Sequence, residues 1–192
     1  MGVFDALRGR TRQVQPNLDS IFALPTAAIT LETACSLVPT GHGGICFKAG
    51  SGPADAEANG EIDALLAEDI DPTTIRRTSD ELGFTWIVVD DPDLSSLVTR
   101  LHGANSTLAE HGLGPRLLCA VIGLTDAPGA SGSAPCYLVY LFKQGTFYPF
   151  APREGQRRDN ELELRLRAQL DGDLPMEPDL TRWLALWGLP VS

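Results

Sequence analysis

Apolar and β-branched residues concentrate in three runs near the middle of the chain, and this pattern predicts a β-meander. The runs are rich in Leu, Val, Tyr and Phe and cover residues 117–122, 136–142 and 146–150. The pair Gln144-Gly145 stands between the last two runs, and a short segment that contains Gly there is typical of a tight hairpin turn. We expect the strand around Phe147 to be an edge, because Pro149 has no N–H to donate to a ladder.

A further strand and a strong helix are predicted before the meander. Residues 84–89 are apolar or β-prone on both faces, which is typical of an internal strand covered on both sides. Asp93 then stands where an N-cap is expected, and apolar residues follow it at the i, i+3, i+4, i+7 spacing of a buried helix face. Gly112 is placed to end this helix.

The remaining segments give a less uniform pattern. Residues 53–68 and a segment starting at Asn160 or Asp159 are predicted helices, and Gly41-His42-Gly43-Gly44 is predicted to break the chain before a short strand at 45–49. Residues 27–31 fit a strand, or Thr30 caps a short helix over 31–37, and the pattern does not choose between them. The tail is predicted to form a last helix from Pro178, with an apolar stripe of Leu180, Trp183, Leu184 and Trp187. Together these elements predict a single α+β domain with a mainly antiparallel sheet, a C-terminal β-meander and packed amphipathic helices.

The N-terminus differs from the rest of the chain in its charge and periodicity. Three apolar residues share one helical face (Val3, Phe4 and Leu7), and three basic residues follow (Arg8, Arg10 and Arg12). Basic amphipathic segments bind anionic membranes, so these six residues are the candidate membrane contact, with weak binding expected. The alternatives are that the segment docks on the domain or frays in solvent. We place the segment and its linker at residues 1–16 and the domain at residues 17–192.

Composition and charge exclude several classes of function. The 192 residues carry a formal net charge of −10, which argues against a nucleic-acid partner because phosphate binding needs a concentrated basic face. No secretory signal is recognisable, and no run reaches the roughly 18 apolar residues that span a bilayer. The four cysteines form no Cys-x-x-Cys pair. We therefore expect a cytoplasmic protein with reduced thiols. If the N-terminal segment binds anionic lipid, the protein would be peripheral at the inner face of the membrane.

The candidate chemistry is sparse. His42 lies four residues from Cys46, but a catalytic pair needs spatial contact and an orienting third group, which spacing does not show. The glycines around His42 lack the Gly-Lys-Ser/Thr ending of a phosphate loop. Asp90-Asp91 follows the buried strand without a second acidic cluster to complete a metal site. We predict no catalytic, cofactor-binding or metal-binding residues, and no cofactor.

The aromatic residues of the predicted edge strand have two interpretations. Phe147, Tyr148 and Phe150 are candidate partner contacts, because an aromatic edge strand can bind a partner by strand addition. Alternatively, Phe147 and Phe150 fill the core, and Pro149 blunts the edge against aggregation.

Five segments together resemble a known family. They are residues 1–5 with their Arg-rich continuation, 16–25, 138–152, 158–160 and 177–183, and the block 143–152 (KQGTFYPFAP) is the most specific of them. On these segments the chain is similar to the actinobacterial PspA-associated family PspAB, over nearly its whole length. The resemblance implies a role beside the membrane-remodelling phage-shock protein PspA in the envelope-stress response, and it supplies no catalytic residues.

The function expected from the residues and the resemblance is that of a non-catalytic accessory protein. It would bind PspA or another phage-shock-associated protein, with weak contact to anionic membrane and none to nucleic acid. One alternative is a small-molecule-sensing α+β domain with a pocket between sheet and helices. The other is a hydrolase that uses the region of Cys46 and His42.

Overall fold

The computed structural model describes residues 17–48, 60, 64, 75–80, 82–130 and 135–191. The described part of the chain contains three α-helices with defined ends: α1 (Leu24–Cys35), α2 (Leu94–Leu108) and α3 (Asn160–Leu170). Six strands form the main sheet: β1 (Leu37–Phe47), β2 (Ile75–Ser79), β3 (Thr85–Asp90), β4 (Leu117–Asp126), β5 (Cys136–Leu141) and β6 (Thr146–Phe150). Two short strands, β7 (Pro152–Arg153) and β8 (Arg157–Arg158), make a separate hairpin. Four short 3₁₀ or π segments flank these elements: Asp19–Ala23, Ala109–Leu113, Gly114–Arg116 and Leu180–Arg182.

The main sheet has the strand order β2-β3-β1-β4-β5-β6, and its pairs are all antiparallel. The consecutive neighbours β4, β5 and β6 are the predicted meander, and β3 is internal as predicted. The α+β fold class is therefore confirmed. The turn between β5 and β6 occupies four residues and ends at Gly145, whose φ of 68° a side chain would disfavour.

The sheet separates two apolar layers. On one face, α1, α2 and α3 pack with alternate strand residues into the larger core cluster. On the other face, the smaller cluster is covered by the C-terminal tail, through Trp183, Leu186, Trp187, Leu189 and Val191. Both faces of the central strands are therefore buried, which explains why β3 is a continuous apolar run.

The caps of two helices are confirmed at the side-chain level. The Asp93 carboxylate accepts the N–H of Ser96 at 2.8 Å at the start of α2. The Asp159 carboxylate accepts the N–H of Leu162 at 2.9 Å at the start of α3. Gly112, with φ of 81°, follows α2 in the segment where the helical geometry breaks. Short polar residues at caps and glycine after the last turn are local signals, so the sequence identified Asp93 and Gly112. It narrowed the second cap to Asp159 or Asn160, and the structure shows that it is Asp159.

The prediction that the glycine-rich segment breaks the chain is wrong. Residues 41–44 lie inside β1, which runs from Leu37 to Phe47. The register of β1 against β4 shifts between Pro39 and Gly43, so the segment forms an irregularity within a continuous strand. Gly43 and Gly44 of this segment allow close packing. A Cβ on Gly43 would lie 2.9 Å from a Leu101 methyl, and a Cβ on Gly44 would lie 2.8 Å from a Val191 methyl.

The interpretations of residues 27–37 were also wrong. Residues 27–31 do not form a strand, and Thr30 does not cap a helix over residues 31–37, because α1 already begins at Leu24 with Pro25 in its first turn. The helix ends at Ser36, which adopts the left-handed conformation with φ of 55°. Packing of Leu24, Ala27 and Leu31 against the sheet determines the helix here.

The tail does not form the predicted last helix. Only Leu180–Arg182 is helical, as a 3₁₀ turn capped by Asp179, and the remaining residues up to 191 cross the sheet in extended or turn conformations. Trp183 is buried, whereas Leu180 and Leu184 are exposed, so the predicted stripe is not one face. Of the predicted helix at 53–68, Gly60 and Ala64 are helical, and its other residues lie outside the described part.

Candidate functional site

An apolar concavity lies between the sheet and the C-terminal tail. It is a pocket of about 440 Å³, a volume within the usual range of small-molecule sites. Its floor is made by one residue from each of five strands: Cys46, Trp86, Cys119, Leu141 and Tyr148. The alternative of a small-molecule-sensing domain placed a pocket between sheet and helices, whereas this pocket lies on the opposite face of the sheet.

Three loops form the walls and rim of the pocket. They are the turn between β2 and β3, the turn between β5 and β6, and residues 184–189 of the tail. Two leucines on the rim are unusually exposed: Leu82 at 79% and Leu184 at 61%. The exposed apolar surface therefore continues the pocket lining outward, which is typical of a binding surface.

Cys46 and Cys119 are register partners on β1 and β4, and both face the pocket. They are free thiols and almost fully buried. The hydrogen bond with Cys119, and then burial, raise the pKa of the Cys46 thiol, so the neutral form predominates. Because the thiolate is the nucleophile, this arrangement makes Cys46 unreactive.

His42 does not contact Cys46. Four steps along the strand separate the two Cα atoms by roughly 13 Å, and each side chain has another partner. Nδ1 of His42 lies 2.7 Å from Oδ1 of Asp90, and Arg76 donates to Oδ2 of the same carboxylate at 3.1 Å. His42 and Cys46, the pair considered for hydrolase chemistry, therefore do not bond to each other. His42 bonds to Asp90, and Cys46 bonds to Cys119.

The acidic end of β3 is neutralised by basic residues. Asp90 is paired with His42 and Arg76, and Asp91 lies 2.9 Å from Nε of Arg100. In the part of the chain that the structure describes, no group of three or more His, Cys, Asp or Glu residues could hold a metal ion. The carboxylates at this strand end form ion pairs at the surface.

The aromatic residues of β6 are buried by the protein itself. Phe147 packs its ring 4.6 Å from that of Tyr140, Tyr148 stacks on Trp183 at 5.8 Å, and Phe150 meets Trp187 at 5.3 Å. All three are at most 1% exposed. Their contact with a partner stays a prediction, and it would require displacement of the residues that cover them.

The outer edge of β6 is also occupied. The N–H of Phe147 donates to the carbonyl of Pro175, and its own carbonyl accepts the N–H of Glu177. Pro149 has no N–H, as the sequence analysis noted. Strand addition at this edge would therefore have to replace existing hydrogen bonds.

The candidate membrane contacts Val3, Phe4, Leu7, Arg8, Arg10 and Arg12 lie outside the described residues, so they stay a prediction, as does the boundary at residue 16. The described chain begins at Asn17, whose N–H donates to the carbonyl of Phe142 at 2.7 Å. Phe142 belongs to the β5–β6 turn, and its neighbours Lys143 and Gln144 line the pocket. The N-terminal segment is thus joined to the fold at this turn. The carbonyl of Asn17 also accepts the hydroxyl of Tyr140, which belongs to the larger core cluster on the opposite face from the pocket. None of the described helices has the length and apolarity to cross a membrane.

The fold and pocket define a small α+β domain with an apolar concavity on one side of its sheet. The family model PspAB, described as PspA associated protein B, matches residues 1–191. The chain belongs to this family, and membership supports an accessory role in the PspA system. No curated protein and no solved structure matches the chain.

Sequence reasoning missed the pocket because its lining is scattered along the chain. The residues come from five strands, two turns and the tail, and most are ordinary apolar residues whose spacing carries no signal. The only local indication was the Trp and Leu content of the tail, which was assigned to a helix.

Proposed function

We propose that this protein is a non-catalytic accessory component of the PspA system that binds PspA or another phage-shock-associated protein at the inner face of the membrane. The observation that carries the proposal is the exposed apolar rim of the pocket, where Leu82 and Leu184 lie. Family membership supplies the process.

The membrane part of the proposal depends on residues 1–12. Phe4 and Leu7 would enter the acyl boundary, and each arginine near anionic lipid would contribute about 1 kcal/mol. The net charge of −10 opposes approach of the domain itself to an anionic surface. Binding is therefore expected to be weak, reversible and sensitive to salt.

The partner part of the proposal depends on the pocket rim. Leu82 and Leu184 would be covered by an apolar face of the partner, which removes two exposed side chains from water. An amphipathic helix of the partner is the element that best fits such a surface. No catalytic step is proposed, because Cys46 is held neutral and His42 is paired with Asp90.

The test is co-sedimentation of the full chain with phosphatidylglycerol-containing liposomes, with and without purified PspA. Deletion of residues 2–12 should abolish liposome binding without lowering the thermal midpoint. The double variant Leu82→Ser/Leu184→Ser should weaken PspA binding, whereas Ile29→Ser should not. Ile29 is a matched control because it is 66% exposed but lies on α1, on the opposite side of the sheet.

Two results would contradict the proposal separately. The deletion could lower the thermal midpoint by several degrees while the full chain fails to bind liposomes at low salt. The N-terminal segment would then stabilise the domain and would not bind membrane. If PspA binds the double variant as tightly as the Ile29→Ser control, the pocket rim is not the partner surface.

A further inference from the structure

The pocket has a lining suited to an alkyl chain. Its walls are mainly Leu, Trp, Phe and Tyr side chains, and its opening is bordered by the exposed Leu82 and Leu184. A site of about 440 Å³ with so few polar atoms favours a slender apolar ligand over a sugar or a nucleotide.

The polar groups of the wall are mostly satisfied within the protein. Asp80 accepts the N–H groups of Leu82 and Phe84 on Oδ1 and the indole N–H of Trp86 on Oδ2, at 2.9 to 3.0 Å. The hydroxyl of Tyr148 donates to the carbonyl of Leu184 at 3.0 Å. These groups are therefore not positioned to receive a polar ligand, and they hold the pocket walls in place.

Lys143 is the exception. It lies on the β5–β6 turn at the pocket, is exposed, and has no hydrogen bond or ion pair to any other described residue. Gln144 beside it has an amide side chain that is likewise unbonded among the described residues. A positive charge is thus available where an apolar pocket meets solvent.

We propose that this pocket binds a single-chain anionic amphiphile, with the alkyl chain along the sheet and the anionic headgroup at Lys143. The alkyl chain lies over Cys46, Cys119 and Trp86, and the headgroup reaches the ammonium of Lys143 and the amide of Gln144. The Asp80 carboxylate, also in the lining, already accepts three N–H groups of the protein, so Lys143 is the charge open to a headgroup and favours an anionic one over a cationic one. The apolar lining together with the free charge of Lys143 fits a free fatty acid as the occupant.

The pocket shares its rim with the surface proposed to bind PspA, so ligand binding and partner binding would involve the same residues. The tail residues 184–189 form one wall, and Leu184 is both on the rim and bonded to Tyr148. Binding of the amphiphile does not require PspA, so it can be tested with the isolated protein alone.

The test is titration of the full chain with sodium octanoate, decanoate and dodecanoate, each kept below its critical micelle concentration. Fluorescence of Trp86 and Trp187, which both line the pocket, reports occupancy. We expect saturable binding that tightens roughly fourfold for each added methylene until the pocket is filled. Dodecyltrimethylammonium, with the same chain length and opposite charge, should bind severalfold more weakly than dodecanoate.

Two variants locate the headgroup and the chain. Lys143→Gln should remove the preference for the anionic amphiphile, whereas Lys48→Gln should keep it. Lys48 is a matched control because it is exposed, is the only other lysine of the sequence and does not line the pocket. Leu118→Phe, which fills space at the wall, should weaken binding of all chain lengths, and its thermal midpoint reports whether it still folds.

Specific outcomes would overturn the inference. They are the absence of a saturable fluorescence change, a signal that begins only where the amphiphile aggregates, or an unchanged charge preference in Lys143→Gln. If Leu118→Phe does not fold, the chain-length series and the Lys143 and Lys48 variants still decide the question. Measurement of PspA binding with the same ligand-free protein separates a failure of this inference from a failure of the proposed function.

Discussion

Oε1 of Glu163, a residue of α3, accepts the backbone N–H of Ala151 at 2.8 Å, directly after the edge strand β6. The same carboxylate accepts Nε of Arg158 at 2.9 Å. With Phe147 bonded to the tail and Pro149 lacking a donor, this contact completes the protection of the edge. Exposed edge strands template aggregation, so Glu163 contributes to both stability and solubility.

Replacement of Glu163 by Ala should lower the free energy of unfolding by about 3–5 kcal/mol. The change leaves the mostly buried guanidinium of Arg158 and the N–H of Ala151 without their acceptor. Urea unfolding followed by circular dichroism measures the loss. Glu163→Gln keeps an acceptor oxygen at the same place and should lose less, so equal losses for both variants would contradict this account.

Gly41→Ala should destabilise the fold more than Gly112→Ala. Both glycines have φ near 80°, where a side chain costs roughly 1–2 kcal/mol. A Cβ at Gly41 would also lie 3.0 Å from the carbonyl oxygen of Asp91, whereas one at Gly112 meets nothing within 4 Å. The difference in thermal midpoint between the two variants measures the cost of the contact between the added Cβ and the Asp91 carbonyl. Equal midpoints would show that this contact costs nothing.

Asn105→Leu should raise the free energy of unfolding by about 1 kcal/mol. Asn105 is fully buried on the inner face of α2, and neither its Oδ1 nor its Nδ2 has a hydrogen-bond partner among the described residues. An apolar side chain of similar volume removes the cost of an unsatisfied amide. A lower thermal midpoint in Asn105→Leu would show that the amide has a partner in solution.

Stability should fall as the pH drops below about 4, partly because of Asp159. The N–H of Leu162, and then the pair with Arg153, hold the pKa of this carboxyl below its usual range. The unfolded chain therefore takes up the proton at a higher pH than the native chain, and the stabilisation present above that pH is lost on acidification. Asp159→Asn keeps a capping oxygen but no titrating group, so its unfolding free energy should depend less on pH between 2 and 5. Identical pH profiles for the two proteins would refute the assignment.

Cys46→Ser and His42→Ala should leave PspA binding intact, with only modest losses of stability. The thiol pKa of Cys46 is raised, and His42 bonds to Asp90 at the other end of the shared strand segment. PspA co-sedimentation, together with thermal unfolding of each variant, measures both effects. Loss of function in a variant that remains folded would assign these residues a chemical role.

Local sequence signals determined much of this protein. The alternation and length of the apolar runs predicted β4, β5, β6 and the internal strand β3, and Asp93 and Asp159 identified two helix starts. Such features depend on residues close together in the chain, where periodicity and capping chemistry act directly. The family resemblance was likewise carried by contiguous segments.

Only the tertiary structure decided the course of the glycine segment, the tail and the pocket. Gly43 and Gly44 lie within a strand because Leu101 and Val191 approach from opposite faces, and no local pattern encodes both neighbours. The tail is largely extended because Trp183 and Trp187 pack onto β6 aromatic rings across the sheet, which outweighs their helical spacing. The pocket brings Cys46 beside Cys119, residues far apart in sequence, since strand register and not chain proximity sets that contact.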